Sequence, residues 1–447
     1  MPIRLRHSAV LAPTLALAVL ASGSAMAEPT GLASSGSGST QGAACLDAST
    51  TLPYEESFLA RSEAGRLIVG GGFDDTVAAF SAALCAASGP EVAGAVVDGH
   101  GAALWRLGVD RVQGRVDTGG TLSAGDDRPL YWARLAMVAA LRQWSPDFTV
   151  GDDERQSLID DLDRVSRGQR DIAFPAADKI TRVLVTGFDP FTLNRDVRQA
   201  NPSGASALAL DGLTVKGPDG PIRIEAALFP VRWRDFEDGM VEQTLLPHFR
   251  PGKKQVDVFA TTSQGRVGRI DLEHFNGAWR AGFGDNENVC YRGMAPIPAG
   301  TPTVTPQPQW TLSTHPIAAM IAAGTGPYPV NDNRTVTEVP ASTPPEPVTT
   351  SCPAAPSPGT TLTTGPTPGS LARAGGGGNY LSNEIAYRAT LLRDATGLDV
   401  PGGHVHTPVL QGLDPTKPDE LTNATFEANR AAINAQMRQL VLAAARQ

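Results

Sequence analysis

A basic patch is missing from this chain. Its 37 lysines and arginines stand against 46 aspartates and glutamates, a formal net charge of −9, and they form no cluster of the kind a nucleic acid needs. The sequence therefore argues against a nucleic-acid partner. A long apolar run is missing too: the stretch at residues 9–20 is too short to span a bilayer. With Arg4, Arg6 and His7 before it and Ala25-Met26-Ala27 after it, it has the three parts of a secretory signal ending at residue 27. The expectation is export to an extracellular or periplasmic location, a mature chain starting near Glu28, and no stable membrane insertion after cleavage. Internal repeats are absent. Cysteine is scarce: the four residues Cys45, Cys85, Cys290 and Cys352 form an even set, which in an exported protein favours disulfides over reactive thiols. Three pairings are possible, and Cys45–Cys85 with Cys290–Cys352 keeps each bond within one region. That pairing is the expected one and leaves no free thiol. No cofactor is implied. His404 and His406 could face one side of a strand, but without a third ligand at recognisable spacing no metal is expected.

What is present is a foldable globular composition, 41% hydrophobic and 19% charged, with 47 glycines and 36 prolines that imply long irregular segments. The 447 residues suffice for two or three domains, or for one with large additions. Residues 31–44 are rich in Ser, Gly and Thr and read as a flexible leader. Val77, Phe80 and Leu84 recur at helical spacing over 76–86, behind Asp74 and Asp75 that can cap a helix start. The next helix, 130–144, is apolar on most sides and so should be buried, and 152–167 carries Leu158, Ile159, Leu162 and Val165 on one face. Between the first two of these helices Asp98-Gly99-His100 reads as a loop rather than as a metal ligand or base. Residues 28–179 are thus expected to be a mainly helical extension.

The pattern changes at Thr181. A β-branched run over 182–186 is broken by Gly187, after which Phe188 and Phe191 flank Asp189-Pro190. A buried strand ending in such a turn delivers residues to the carboxyl edge of an α/β sheet, where ligands bind. Strand-like 223–230, amphipathic 234–246 and strand-like 256–261 follow, an alternation that implies parallel strands with right-handed crossovers. Residues 299–374 interrupt it with Pro, Thr and Ser and read as an extended surface insertion, too poor in apolar residues to bury a core of its own. Helix 382–392, strand 403–410 and a terminal helix over 423–447 complete a domain spanning 180–447.

Four ordered blocks carry the chemistry. Val183-Leu184-Val185-Thr186-Gly187-Phe188-Asp189-Pro190-Phe191 with Asn201-Pro202-Ser203 is the first. Ser263-Gln264-Gly265-Arg266, then Glu273, then Asp285-Asn286-Glu287, is the second. Gly377 to Asn383 is the third, and Gly403-His404-Val405-His406-Thr407-Pro408 the fourth. Together they resemble the pyroglutamyl peptidase I (pyrrolidone-carboxylate peptidase) family of cysteine peptidases, over most of 181–410 apart from the insertion. The resemblance implies an α/β three-layer open sandwich with a mostly parallel mixed sheet, and a peptide substrate with an N-terminal pyroglutamate. It makes Glu273 the residue that orients His406, His406 the general base, and residue 382 the nucleophile. Phe188 and Phe191 would wall a pocket for an uncharged lactam, with Gln264 helping to fix its orientation. Gly377 and Gly378 would offer backbone amides to an oxyanion, and Arg280 is an approximate substitute for the family's arginine.

Residue 382 is a serine where that family has cysteine. A thiol, with a pKa near ~8.5, is partly ionised at neutral pH. A hydroxyl has to lose its proton as it attacks, which places the demand on His406. Ser382 also sits where a helix begins and can act simply as its N-cap. Three readings follow: a serine version of the peptidase, a catalytically inactive homologue that binds pyroglutamyl or related ligands, and a serine esterase on the same scaffold.

Overall fold

Residues 183–188 are all buried, because their strand, Thr181–Phe188, lies inside a sheet covered on both faces. The computed structural model describes residues 45–177, 179–352 and 358–446. The sheet has seven strands in the order Val330–Asn333, Ile270–Glu273, Gly402–Thr407, Val258–Gln264, Thr181–Phe188, Pro221–Phe229 and Thr214–Lys216. The four strands from Gly402–Thr407 to Pro221–Phe229 are mutually parallel. Ile270–Glu273 runs antiparallel to Gly402–Thr407 and parallel to Val330–Asn333, and Thr214–Lys216 closes the far edge antiparallel to its neighbour.

Side chains that alternate along a strand divide between two cores. Val183 and Val185 pack with Ala207 and Leu208 of helix Pro202–Leu210 and with Ile433, Met437 and Leu440 of helix Ala424–Ala444. Leu184 and Phe188 pack with Val241 and Leu245 of helix Met240–Phe249 and with Leu381 and Ile385 of helix Leu381–Thr396. The fold is therefore α/β with a mostly parallel mixed sheet between helical layers. Five longer helices precede it: Ser62–Gly71, Asp74–Cys85, Pro90–Val112, Arg128–Gln143 and Asp152–Val165. Their side chains Leu104, Trp132 and Leu162 belong to the same continuous core as Val183 and Val185. Both expected disulfides form. Among the described residues no single helix is long and apolar enough to cross a membrane. The signal expected over 1–27 and the leader after it lie outside the described residues.

Four local expectations need correction. Asp98-Gly99-His100 is not a loop but part of the 23-residue helix Pro90–Val112, with the His100 ring edge-on to Phe80 at 5.8 Å. Asp74 and Asp75 occupy the first turn of their helix without a side-chain cap; its N-cap is Phe73. Ser382 is not an N-cap either, because Tyr380 holds that position. The segment 299–374 does not lie extended on the surface. It supplies the edge strand Val330–Asn333, the helix Ile317–Ala323 with Met320 buried, and a three-stranded sheet built on Val336–Val339. Met320, Ile317, Tyr328 and Val330 reach the main core and Trp310 and Ala372 a smaller one, while Val304, Leu312, Ile321 and Val348 stay exposed, so the segment packs on cores formed with the rest of the chain.

Candidate active site

The carboxyl ends of the central strands converge. Phe188 ends the first strand, Ser263 and Gln264 end Val258–Gln264, and His406 lies one residue before the end of Gly402–Thr407. The register sets His404 beside Thr261 and His406 beside Ser263 on one neighbour, and His404 opposite Glu273 on the other. Residues two apart on a strand share a face, so both imidazoles and the Glu273 carboxylate meet on one side. His406 Nδ1 is 2.6 Å from Glu273 Oε1, and Glu273 is fully buried. Its other oxygen, Oε2, accepts a hydrogen bond from Asn333 Nδ2 at 2.7 Å. The same amide nitrogen donates to the Gly376 carbonyl at 3.2 Å. A carboxylate held this way fixes an imidazole's orientation and leaves its Nε2 free for proton transfer.

Ser382 approaches from the other side, as the second residue of helix Leu381–Thr396. Amides of a first helical turn have no partner within the helix, so Leu381 and Ser382 present N–H groups, and the positive end of the helix dipole, to whatever binds there. The turn Gly375–Gly378 lies beside both Ser382 and His406. It is closed by Gly375 N–H to Gly378 O at 2.8 Å and by Gly378 N–H to Gly375 O at 3.0 Å, which commits the Gly378 amide expected to serve an oxyanion. Gly377 lies against the imidazole: a Cβ there would stand 3.2 Å from His406 Cε1. The Ser382 hydroxyl donates to the Gly377 carbonyl at 3.0 Å, so its proton points to backbone and not to His406. A Cβ at Gly376 would fall 2.0 Å from Glu273 Oε2, so a side chain there would displace that carboxylate.

Phe188, Phe191, Val231, Tyr380 and Leu381 wall a cavity into which Asn201, Ser263, Gln264 and Ser382 bring polar groups. It encloses ≈ 280 Å3 counting its open mouth, but only ≈ 30 Å3 is open to the centre of a water molecule. An aromatic stack forms the rim, with Phe283 parallel to Phe191 at 6.4 Å and to Tyr380 at 4.5 Å. Phe283 itself is 49% exposed. Phe283 was not singled out from sequence. Ser263 and Tyr380 stand inside the second and third blocks but were given no role there, while Asn333 lay inside the segment read as an insertion.

Arg280 is not brought to this cavity. Its guanidinium is fully buried, bonds Glu384 and Glu237, and lies over the Tyr291 ring at 4.1 Å. It belongs to a structural ion-pair chain that continues through Glu384 to Arg388 and Glu242. His404 has both ring nitrogens occupied, by Thr261 Oγ1 and Ser263 Oγ at 2.8 Å each. Burial and the neighbouring His406 and His315 hold it well below the usual imidazole range, so it is neutral. Among the described residues no three His, Cys, Asp or Glu side chains converge as a metal-binding set.

The preceding helices reach the site through its first loop. Asp189 is buried and accepts from Arg134 at 2.9 Å and from Arg167 at 2.8 Å. Asn201 caps helix Pro202–Leu210 and donates to the Asp189 carbonyl at 2.9 Å, which accounts for the Asn-Pro-Ser block. Asn286 ties the Pro190 carbonyl to the Glu55 carboxyl. Asp285 orders the turn that carries Asn286 by accepting from the Glu287 and Val289 amides, and ties it to Trp233 by accepting from that amide; burial raises its pKa to about 6. The Asp-Asn pair thus supports the Phe188–Phe191 wall and does not enter the cavity.

Two domain models match the chain, the PA0049 N-terminal domain over residues 37–163 and the PA0049 C-terminal domain over 182–307 and 297–411. "Uncharacterized protein PA0049" of Pseudomonas aeruginosa is 36% identical over 462 aligned residues, covering 85% of this chain and 84% of the relative. Among solved structures, a mutant pyrrolidone carboxyl peptidase from Pyrococcus furiosus is similar at 20% identity and a TM-score of 0.36, over 59% of this chain and 98% of its own. Pyroglutamyl peptidase I of Bacillus amyloliquefaciens is similar at 18% identity and a TM-score of 0.35, over 60% and 98%. The identity and coverage against the Pseudomonas relative, with both domain models matched in order, assign this chain to the PA0049 family.

Proposed function

We propose that the protein is an exported hydrolase of pyroglutamyl peptidase I type that removes an N-terminal pyroglutamate from peptides through an acyl-enzyme. Glu273 orients His406, His406 acts as general base, and Ser382 stands in the nucleophile's position. The observation that carries the reading is the 2.6 Å bond from His406 Nδ1 to a fully buried Glu273, with His406 beside Ser263 in the strand register and Ser263 lining a cavity walled by Phe188 and Phe191 and reached by Gln264 and Ser382. The four ordered sequence blocks support it independently. A neutral, flat lactam suits apolar walls with a few polar groups between them. Amides of the first turn of helix Leu381–Thr396 would take the oxyanion role that Gly378 and Arg280 do not fill. The two disulfides support an oxidising, extracytoplasmic location.

One observation favours the binding reading instead. The Ser382 proton is given to the Gly377 carbonyl, so attack requires the hydroxyl to turn towards His406 first. Fluorophore release from a pyroglutamyl amide separates the two. The hydrolase reading expects turnover that exceeds that of other aminoacyl amides and that falls ~100-fold or more in Glu273→Gln. Tight binding of a pyroglutamyl peptide without turnover would establish the binding role.

A further inference from the structure

Ser382 is not the only serine on the cavity wall. Ser263 lines it too, and it is Ser263 whose hydroxyl meets an imidazole, with Oγ 2.8 Å from His404 Nε2. Thr261 fixes the direction of this chain. Its one hydroxyl proton goes to the Gly403 carbonyl at 3.2 Å, so towards His404 Nδ1, 2.8 Å away, it accepts. The ring proton is therefore on Nδ1, and the Nε2 lone pair faces the Ser263 proton. Strand register builds the arrangement, since Gly402–Thr407 and Val258–Gln264 set His404 beside Thr261 and His406 beside Ser263. The groups facing His404 are these two hydroxyls, the His406 ring at 4.8 Å and His315. Neither ring nitrogen has a carboxylate partner.

We propose that Ser263 is a second acyl acceptor in this cavity, with His404 as its general base, acting on aryl esters and thioesters of small, flat acyl groups. The proposal shares the cavity of the reading above but neither its nucleophile nor its base. As the bond from Ser263 Oγ to the acyl carbon forms, the hydroxyl proton passes to His404 Nε2. The C–O or C–S bond to the leaving group then breaks, and a phenolate or thiolate departs, taking that proton back from Nε2. Water next attacks the Ser263 ester, gives a proton to Nε2 and releases the acid, and the proton returns to Ser263 Oγ. The preference for good leaving groups follows from the absent carboxylate. An imidazolium formed at His404 has no counter-charge, so it is a costly intermediate. Amines need a proton from such an imidazolium before they leave, whereas phenolates and thiolates do not.

The test is to treat the native protein with an alkyl fluorophosphonate and to locate the modified residue by tandem mass spectrometry. The proposal expects one equivalent of label on Ser263, with labelling ~100-fold slower in His404→Gln, the size of a general-base contribution. Label confined to Ser382 would support the peptidase reading and overturn this one. Label on neither serine would overturn it as well, while pyroglutamyl amide turnover by the same preparation reports separately on the peptidase reading.

Discussion

Replacing Glu55 with glutamine tests how the first helices are held against the sheet. The Glu55 carboxyl is buried where both parts meet: Oε1 accepts from the Tyr131 hydroxyl and from Asn286 Nδ2, each at 2.8 Å, and Oε2 lies 3.4 Å from Arg232. Burial raises its pKa from 4.5 to about 7, against the pull of Arg232. Arg232 cannot hold it ionised because the same guanidinium also serves Asp163 and Asp235. A carboxyl whose pKa rises on folding binds its proton more tightly in the native state. Its stabilisation is complete below about pH 4.5, where the unfolded chain is also protonated, and is lost as pH climbs through about 7. A displacement of that size corresponds to ~3 kcal/mol. Glutamine keeps the acceptor for Tyr131 and Asn286 and carries no charge. Glu55→Gln should therefore gain stability relative to the native protein as pH rises, by up to ~3 kcal/mol between pH ~4 and ~8. Asp127, Asp211 and Asp285, raised by burial to about 6, 7 and 6, contribute in the same sense to both proteins, so the difference isolates Glu55. Urea unfolding across this range measures it. A difference that stays constant with pH would mean that Glu55 is ionised in the native state and would refute the reasoning.

Two further outcomes follow from contacts at the site. Gly376→Ala would push a methyl group to within 2.0 Å of Glu273 Oε2. Turnover of the pyroglutamyl amide should fall by at least ~10-fold in kcat as the carboxylate leaves His406, since small misplacements of catalytic groups are costly; unchanged kcat would show that Glu273 does not need its present position. Asp189→Asn removes the charge shared by two buried arginines, Arg134 and Arg167. It should cost ~3–5 kcal/mol in denaturant unfolding, the range for breaking a buried ion pair, and a loss below ~1 kcal/mol would show the pairs to be replaceable.

The central strands were legible because their signal is local. Val183, Leu184 and Val185 are apolar on both faces of a doubly covered strand, which does not break at Gly187 as expected but runs through it to Phe188. Glu273, Ser382 and His406 became candidates through residue order within motifs, and Phe188, Phe191 and Gln264, singled out in the same way, line one cavity. Helix Pro90–Val112 was hidden by glycines that lower helix propensity, two of which serve packing: a Cβ at Gly101 would fall 2.2 Å from Val165 and one at Gly108 2.9 Å from Leu130. The role of 299–374 was hidden for a different reason. Four residues, Val330–Asn333, add an edge strand and bring Asn333 to Glu273, and no periodicity announces so short an element. Arg280 was misassigned because sequence gives its spacing from Glu273 but not its partners, Glu384 and Glu237. The Ser263–His404–Thr261 chain arises from pairing between strands that lie some 140 residues apart, and such a register is invisible before the sheet is formed.

The most direct measurement is the rate of pyroglutamyl amide hydrolysis by the native protein beside Ser382→Ala and Ser382→Cys. The account predicts turnover in the native protein, a loss of ~1,000-fold or more in Ser382→Ala, as for removal of a nucleophile, and faster turnover in Ser382→Cys because the thiol ionises more readily. Native turnover that survives in Ser382→Ala, or silence in all three proteins, would contradict it.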